Sequence, residues 1–338
     1  MEKKKALLYM LAAALLFCFT EISLKKLNGS LNSIQVNFSR YLLAGILLLP
    51  AGIKERKRRG VQLSKRHIQW FSLLGFIGIA LVGPLYQLSA VYLDAGVTGV
   101  IFSINPMCIG ILAAFLLKEP ISSQQAVGFI LAIAAILVIV DPFHVSMDSM
   151  GLFLLGLTVL FYSLYAVLGK KMVDELGSAA VTAGSFICGG LQLFLLAVAS
   201  HVPLLSDFAQ RAGFSGFADI PLFSGYTLEN LPWVIILYVG VTLGAYYFWF
   251  QAMAYGSVAL GSMTYFIKPV LTPFFALLIL REEISGRMLA GILLMLAGAA
   301  VSLGRNWSGG NGTESIENGG KQLDGSADDE SVPENRRI

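Results

Sequence analysis

Residues 92–141, YLDAGVTGVIFSINPMCIGILAAFLLKEPISSQQAVGFILAIAAILVIVD, occur in this chain twice. Displaced by 163 positions, they fall without a gap on residues 255–304, YGSVALGSMTYFIKPVLTPFFALLILREEISGRMLAGILLMLAGAAVSLG. Twelve of the fifty pairs are identical, a modest score between two apolar segments. The aligned punctuation is harder to obtain by chance. A mid-run proline (Pro106, Pro269) is followed by a basic–Glu pair (Lys118-Glu119, Arg281-Glu282) and then by Ile-Ser. A duplicated unit of this length decides the architecture before any single residue does.

Working outward, the chain has 338 residues, of which 56% are hydrophobic and 13% charged, so it is not a soluble globular domain. A bilayer core of about 30 Å needs roughly 20 apolar helical residues to cross it. Ten segments meet that need: 7–26, 33–52, 69–93, 96–117, 124–141, 151–171, 179–200, 232–254, 257–280 and 287–304. The expected fold is an all-α membrane protein with ten transmembrane helices. The three cysteines, Cys18, Cys108 and Cys188, fall inside spans without metal-ligand spacing and read as buried thiols. Lys3 to Lys5 precede an apolar run with no small-residue cleavage site, which reads as a retained first helix.

Orientation follows the basic residues. With a cytoplasmic N-terminus, seventeen lysines and arginines lie inside and five outside. The loop from Lys54 to Arg66 supplies seven of the seventeen and dominates the bias. Both termini are then cytoplasmic, in what is expected to be a bacterial plasma membrane. Five spans per repeat is an odd number, so the second repeat must be inverted relative to the first. That is the architecture of secondary carriers, with the substrate site near the midplane. The first two spans of each half match more faintly at a shift of 145, through Leu15/Leu160, Lys25/Lys170, Lys26/Lys171, Ser33/Ser178 and Gly45/Gly190. The domain expectation is a first repeat over 1–141 and a second over 151–304. The second carries an outer loop at about 201–231, and a cytoplasmic tail over 305–338 is too polar to fold alone. Gly240 and Gly244, with Gly128 and Gly291, are expected points of close helix approach.

The repeat, Arg40 ahead of YLLAGILLL, and the two long segments from Tyr86 and Tyr246 through the aligned Pro, Glu and Gly together resemble the drug/metabolite transporter superfamily. The closest likeness is to its ten-helix EamA-like members, and it covers about 1–304. The resemblance implies transport of small metabolites such as amino acids, through a central cavity lined mainly by helices 1, 3, 4, 6, 8 and 9. The long outer loop and Lys268 depart from the expected pattern.

Lys268 is the most informative residue. It is the twelfth of 24 residues in its span, roughly 18 Å from either end. A central lysine costs about 2.5 to 3.5 kcal/mol on insertion and normally faces a cavity or a partner. It could hold a substrate anion, exchange a proton, or be pinned to an internal carboxylate. Its repeat mate is Asn105. Glu21 lies about 10 Å nearer the outer face than Lys268. It is therefore expected to pair with Arg40, at similar depth, or with Lys25 one turn away, with cation or proton binding as the sharper alternative. Pro106, Pro269 and Pro273 interrupt spans four and nine and free the carbonyls of Phe102, Tyr265 and Pro269. They are either packed kinks or hinges beside the site. Tyr86, Gln87, Trp249 and Gln251 in the paired third and eighth spans suit a grip on a small amphipathic solute, as do Tyr165 and Tyr265. Interfacial or packing roles are the plainer reading for each of these. Glu119 and Glu282 sit at span ends and are assigned to structure, and Ser122 with Gln125 reads as a helix cap.

The expected function is a secondary transporter, an exporter of an amino acid or related compound working by alternating access. Its partners would be a small-molecule substrate, with proton coupling open, and the lipid bilayer. No nucleic-acid module, cofactor or metal is expected. The alternative is an exporter of cationic drugs or a carrier of a nucleotide- or lipid-linked sugar. No HExxH zinc pair, Gly-x-Ser-x-Gly elbow or paired intramembrane aspartates appear, so an enzyme is not expected.

Overall fold

The computed structural model describes residues 2–118, 121–140, 147–211, 215–255 and 264–303. These are helical almost throughout, and the described residues contain no strand. Eight helical segments are long and apolar enough to cross a membrane: Lys4–Leu27, Ser33–Arg58, Lys65–Tyr92, Ala95–Leu117, Ser123–Val140, Ser149–Leu176, Ser178–Ala199 and Leu231–Trp249. They coincide with the first eight predicted spans. The ninth and tenth correspond to two shorter apolar helices, Ile267–Leu280 and Gly286–Val301. Large apolar side chains such as Leu8, Phe115 and Ile130 are left exposed on the outside. That surface suits lipid rather than water. The protein is an all-α membrane protein.

Several spans are interrupted along their length. The third begins as α-helix, is π-helical over Phe76–Leu81, and resumes over Val82–Tyr92. The eighth does the same over Ile236–Ala245. Such wider turns concentrate at functional sites. The fourth span breaks between Ala95–Phe102 and Asn105–Leu117, with Pro106 in the first turn of the second piece. There proline's missing N–H breaks no bond within the helix it opens, so Pro106 starts a helix instead of kinking one. Pro269 and Pro273 remain inside the helix Thr264–Leu280.

The helices pack in pairs. The second span lies along the seventh, the fifth along the tenth, the fourth against the ninth, the first against the eighth, and the third against the sixth. Backbones approach closely at Gly75 against Gly189 and at Gly298 against the carbonyl of Gly128. At Gly291 an added Cβ would strike Ile139. The expected approach at Gly240 and Gly244 does not form: both lie in the π-helical stretch and face Leu16 at ordinary contact distances. Of the cysteines, Cys18 is buried, whereas Cys108 and Cys188 are only partly so.

The loop over 201–231 carries a helix, Pro203–Arg211, and a single 3-10 turn, Ser215–Phe217. Gln35 donates to the carbonyl of Ser224 and Asn32 to that of Gly216, tying the loop to the start of the second span. Ser122 and Gln125 form the reciprocal cap expected of them. Residues 304–338, which include the whole of the polar tail, and Glu119 lie outside the described residues.

Candidate functional site

A cavity with about 800 Å³ of space between its lining atoms, part of it open to solvent, lies among eight spans. Both π-helical stretches supply lining residues, Gly78 and Ile79 from one, Val241 and Thr242 from the other. The second and seventh spans contribute Arg40, Tyr41 and Phe186, a wider lining than the resemblance implied. Gly78 is required for its shape, because a Cβ there would overlap the Tyr165 ring.

The wall is aromatic. Ring contacts run from Tyr86 to Phe102 (4.6 Å), to Tyr162 (5.4 Å) and on to Tyr165 (6.1 Å). A second series links Tyr41 to Phe186 (4.9 Å), Phe186 to Tyr246 (5.1 Å) and Tyr246 to Phe17 (5.3 Å).

Two cationic side chains reach this wall, and the structure treats them differently. Lys268, 4% exposed, places its Nζ 2.5 Å from Oε1 of Glu21, which is wholly buried. The Tyr86 hydroxyl donates to the same oxygen. The ammonium also stands 5.1 Å from the Phe102 ring centre. A buried ion pair survives because each charge offsets the other's desolvation. The expected partners of Glu21 are therefore wrong. It takes neither Arg40 nor Lys25. Counting residues along upright helices overstated the separation, because tilt shortens the vertical spacing and two long side chains reach across the remainder. Lys25 is instead held 2.9 Å from Glu282 and 3.2 Å from Asp94.

Arg40, 3% exposed, donates from Nη2 to Asn37 Oδ1 (2.7 Å) and to the Tyr41 hydroxyl (3.0 Å), and lies 4.5 Å over the Tyr41 ring. Gln87 accepts from Asn37 at 3.1 Å. It is buried behind Arg40 and acts on the cavity through Asn37. Gly83 makes room for this arrangement, since a Cβ would meet Asn37 Oδ1.

Asn105 does not line the cavity. Its Nδ2 donates to the Phe102 carbonyl (2.6 Å), the oxygen that Pro106 leaves without its helical partner, and its Oδ1 accepts from Ser163 (3.3 Å). Asn105→Ala leaves that buried carbonyl unsatisfied and should cost about 1–2 kcal/mol, read as a lower unfolding midpoint in detergent. An unchanged midpoint would mean that the break in the fourth span holds itself.

Of the other predicted residues, Tyr86 and Tyr165 line the cavity. Trp249 sits behind it, edge-on to Tyr246 at 6.5 Å. Gln251 bonds to Tyr247 on an exposed face, away from the cavity. The side chain of Tyr265 lies outside the described residues. Sequence reading missed Tyr41, Phe102, Tyr162, Phe186 and Tyr246. Only the spacing of Tyr162 to Tyr165, three residues along one helical face, signalled any of them.

The EamA-like transporter family matches residues 4–141 and again 149–304. The chain belongs to that family. Proteins similar to it include an uncharacterized transporter of Clostridium kluyveri, 27% identical over 90% of this chain and 94% of its own. Protein PecM of Dickeya dadantii is 23% identical over 67% of this chain and 70% of its own. A WAT1-related chloroplast protein of Arabidopsis thaliana is 26% identical over 78% of this chain and 61% of its own. A solved crystal structure, 19% identical, superposes with a TM-score of 0.59 over 89% of this chain and 97% of that one, a likeness of fold. The EamA-like match and the names of the relatives make the protein a membrane transporter of small solutes.

Proposed function

We propose that this EamA-like protein is a secondary transporter for a small organic metabolite, working by alternating access about the central cavity. The observation that carries the reading is the Lys268–Glu21 pair, buried within apolar spans, with Lys268 on the wall of that cavity and Glu21 directly behind it. Ionisable groups at such depth are expensive and mark solute or proton pathways. In this reading the halves 1–141 and 151–304 are inverted five-span units, giving ten crossings with both termini cytoplasmic. Helix packing supports it: exchanging spans 1–5 for 6–10 maps every one of the principal pairs onto another or onto itself. So do the matched left-handed residues Lys118 (φ 57°) and Arg281 (φ 59°), 163 positions apart. Pro106, Pro269 and Pro273 sit beside the cavity walls that must move and act as hinges. Glu21, whose Oε2 is buried without a partner, is the group placed to exchange a proton, with Lys268 and Tyr86 facing it.

Vesicles carrying the purified protein and preloaded with a pool of amino acids and organic acids provide the test. Exchange of at least one pool member, absent from empty vesicles, is the expected result. Correctly inserted protein that exchanges nothing would remove the transporter reading.

A further inference from the structure

One cation of the cavity, Arg40, has no neutralising partner among the described residues. Among the described residues no carboxylate lies within ion-pair distance of Arg40; it donates instead to the amide oxygen of Asn37 and the hydroxyl of Tyr41. Its Nε is buried and has no hydrogen-bond partner at all. A guanidinium taken out of water without an anion is costly, and a fork of donors with one vacant position matches a carboxylate or similar oxyanion. Lys268 has its charge met by Glu21.

The acidic side of the site is closed. Glu21 is wholly buried and contributes no lining surface, and Oε1 already accepts from Lys268 and Tyr86. A substrate ammonium thus finds no carboxylate on the cavity wall, while a substrate anion finds Arg40. The rest of the wall is ring surface, with Tyr86, Phe102 and Tyr162 in one connected series and Phe186 and Tyr246 in another. Flat apolar solutes gain most against such walls through offset or edge-on ring contacts. We infer that the substrate class is a monoanionic acid with a planar aromatic body and no amino group, its carboxylate held by Arg40. This rests on the transporter reading only for the word substrate; as a statement about the ligand of this cavity it stands alone. It also counts against the cationic-drug alternative, because the unpaired wall charge is positive.

Thermal shift and calorimetry on purified protein test it without any transport step. The probes are 3-phenylpropanoate, its uncharged amide, phenylalanine, phenethylamine and butanoate. The acid should stabilise the protein and bind at least about tenfold more tightly than its amide or phenylalanine, the scale of a hydrogen-bonded charge. Butanoate, lacking the ring, and phenethylamine, lacking the anion, should be the weakest. Arg40→Gln should abolish the preference for acid over amide. Should that variant not fold, Arg40→Lys, which keeps the charge but not the fork, should narrow it. Equal binding of acid and amide by the native protein, or tighter binding of phenylalanine or phenethylamine, would overturn the inference. Vesicle exchange separates the two claims. Binding of the acid without exchange sinks the transporter reading alone, and exchange of other solutes without acid binding sinks the ligand class alone.

Discussion

Lys268→Ala should lose transport and also about 3–5 kcal/mol of stability, because removing one member of a buried pair strands the other. The carboxylate left behind is Glu21, wholly buried and with one oxygen already unpartnered. From the sequence alone the same substitution is expected to abolish transport and leave folding intact. The structure changes that expectation. The double variant Glu21→Gln with Lys268→Met removes both charges at nearly constant volume, and replacing a buried pair by well-packed neutral groups is often nearly neutral. It should therefore recover the unfolding midpoint while leaving vesicle exchange dead. A single Lys268→Ala protein as stable as the parent would show that the pair is not held as the geometry indicates. Full exchange by the double variant would remove the pair from the transport cycle.

Glu282→Ala should loosen one end of the bundle. Glu282 Oε1 accepts from Lys25 (2.9 Å) and from the backbone N–H of Ala95 (2.9 Å), and Oε2 accepts from Gly96 (3.0 Å). Lys25 continues the link to Asp94 and to the carbonyl of Leu93. One carboxylate from the turn after the ninth span thereby caps the helix Ala95–Phe102 and clasps the end of the first span. Helix N-termini favour such an acceptor, since their first amides have no partner within the helix. Arg281, in the left-handed conformation, turns the chain so that Glu282 points back into the bundle. Partial exposure of Lys25 discounts its share. The loss should total about 2 kcal/mol, seen as roughly thirtyfold faster hydrogen exchange at Ala95 and Gly96. Unchanged protection at these two amides would show that the carboxylate does not hold this end closed.

The residues that sequence reasoning placed well are those whose signal is local. Span positions follow from apolar run length, the Ser122–Gln125 cap from a spacing of three, and the oddity of Lys268 from a charge in the middle of an apolar run. Pairing depends on which helices face each other and on their tilt, and neither leaves a trace in residue counting. Residue counting thus pairs Glu21 with Arg40 or Lys25, whereas it belongs to Lys268. Asn105, judged by repeat register to share the site, is instead spent on the carbonyl that Pro106 frees.

By itself, the sequence determined an all-α membrane protein built on a duplicated segment, because hydropathy, loop charge and repeat register are additive along a chain. The tertiary structure alone decided that the third and eighth spans widen into π-helix beside the cavity. It also decided that rings from seven spans line one wall, that Lys268 is neutralised and that Arg40 is not. Those are properties of side chains from distant positions meeting in a low-dielectric space. There the energy of a charge is set by its nearest neighbours in three dimensions rather than by its place along the chain.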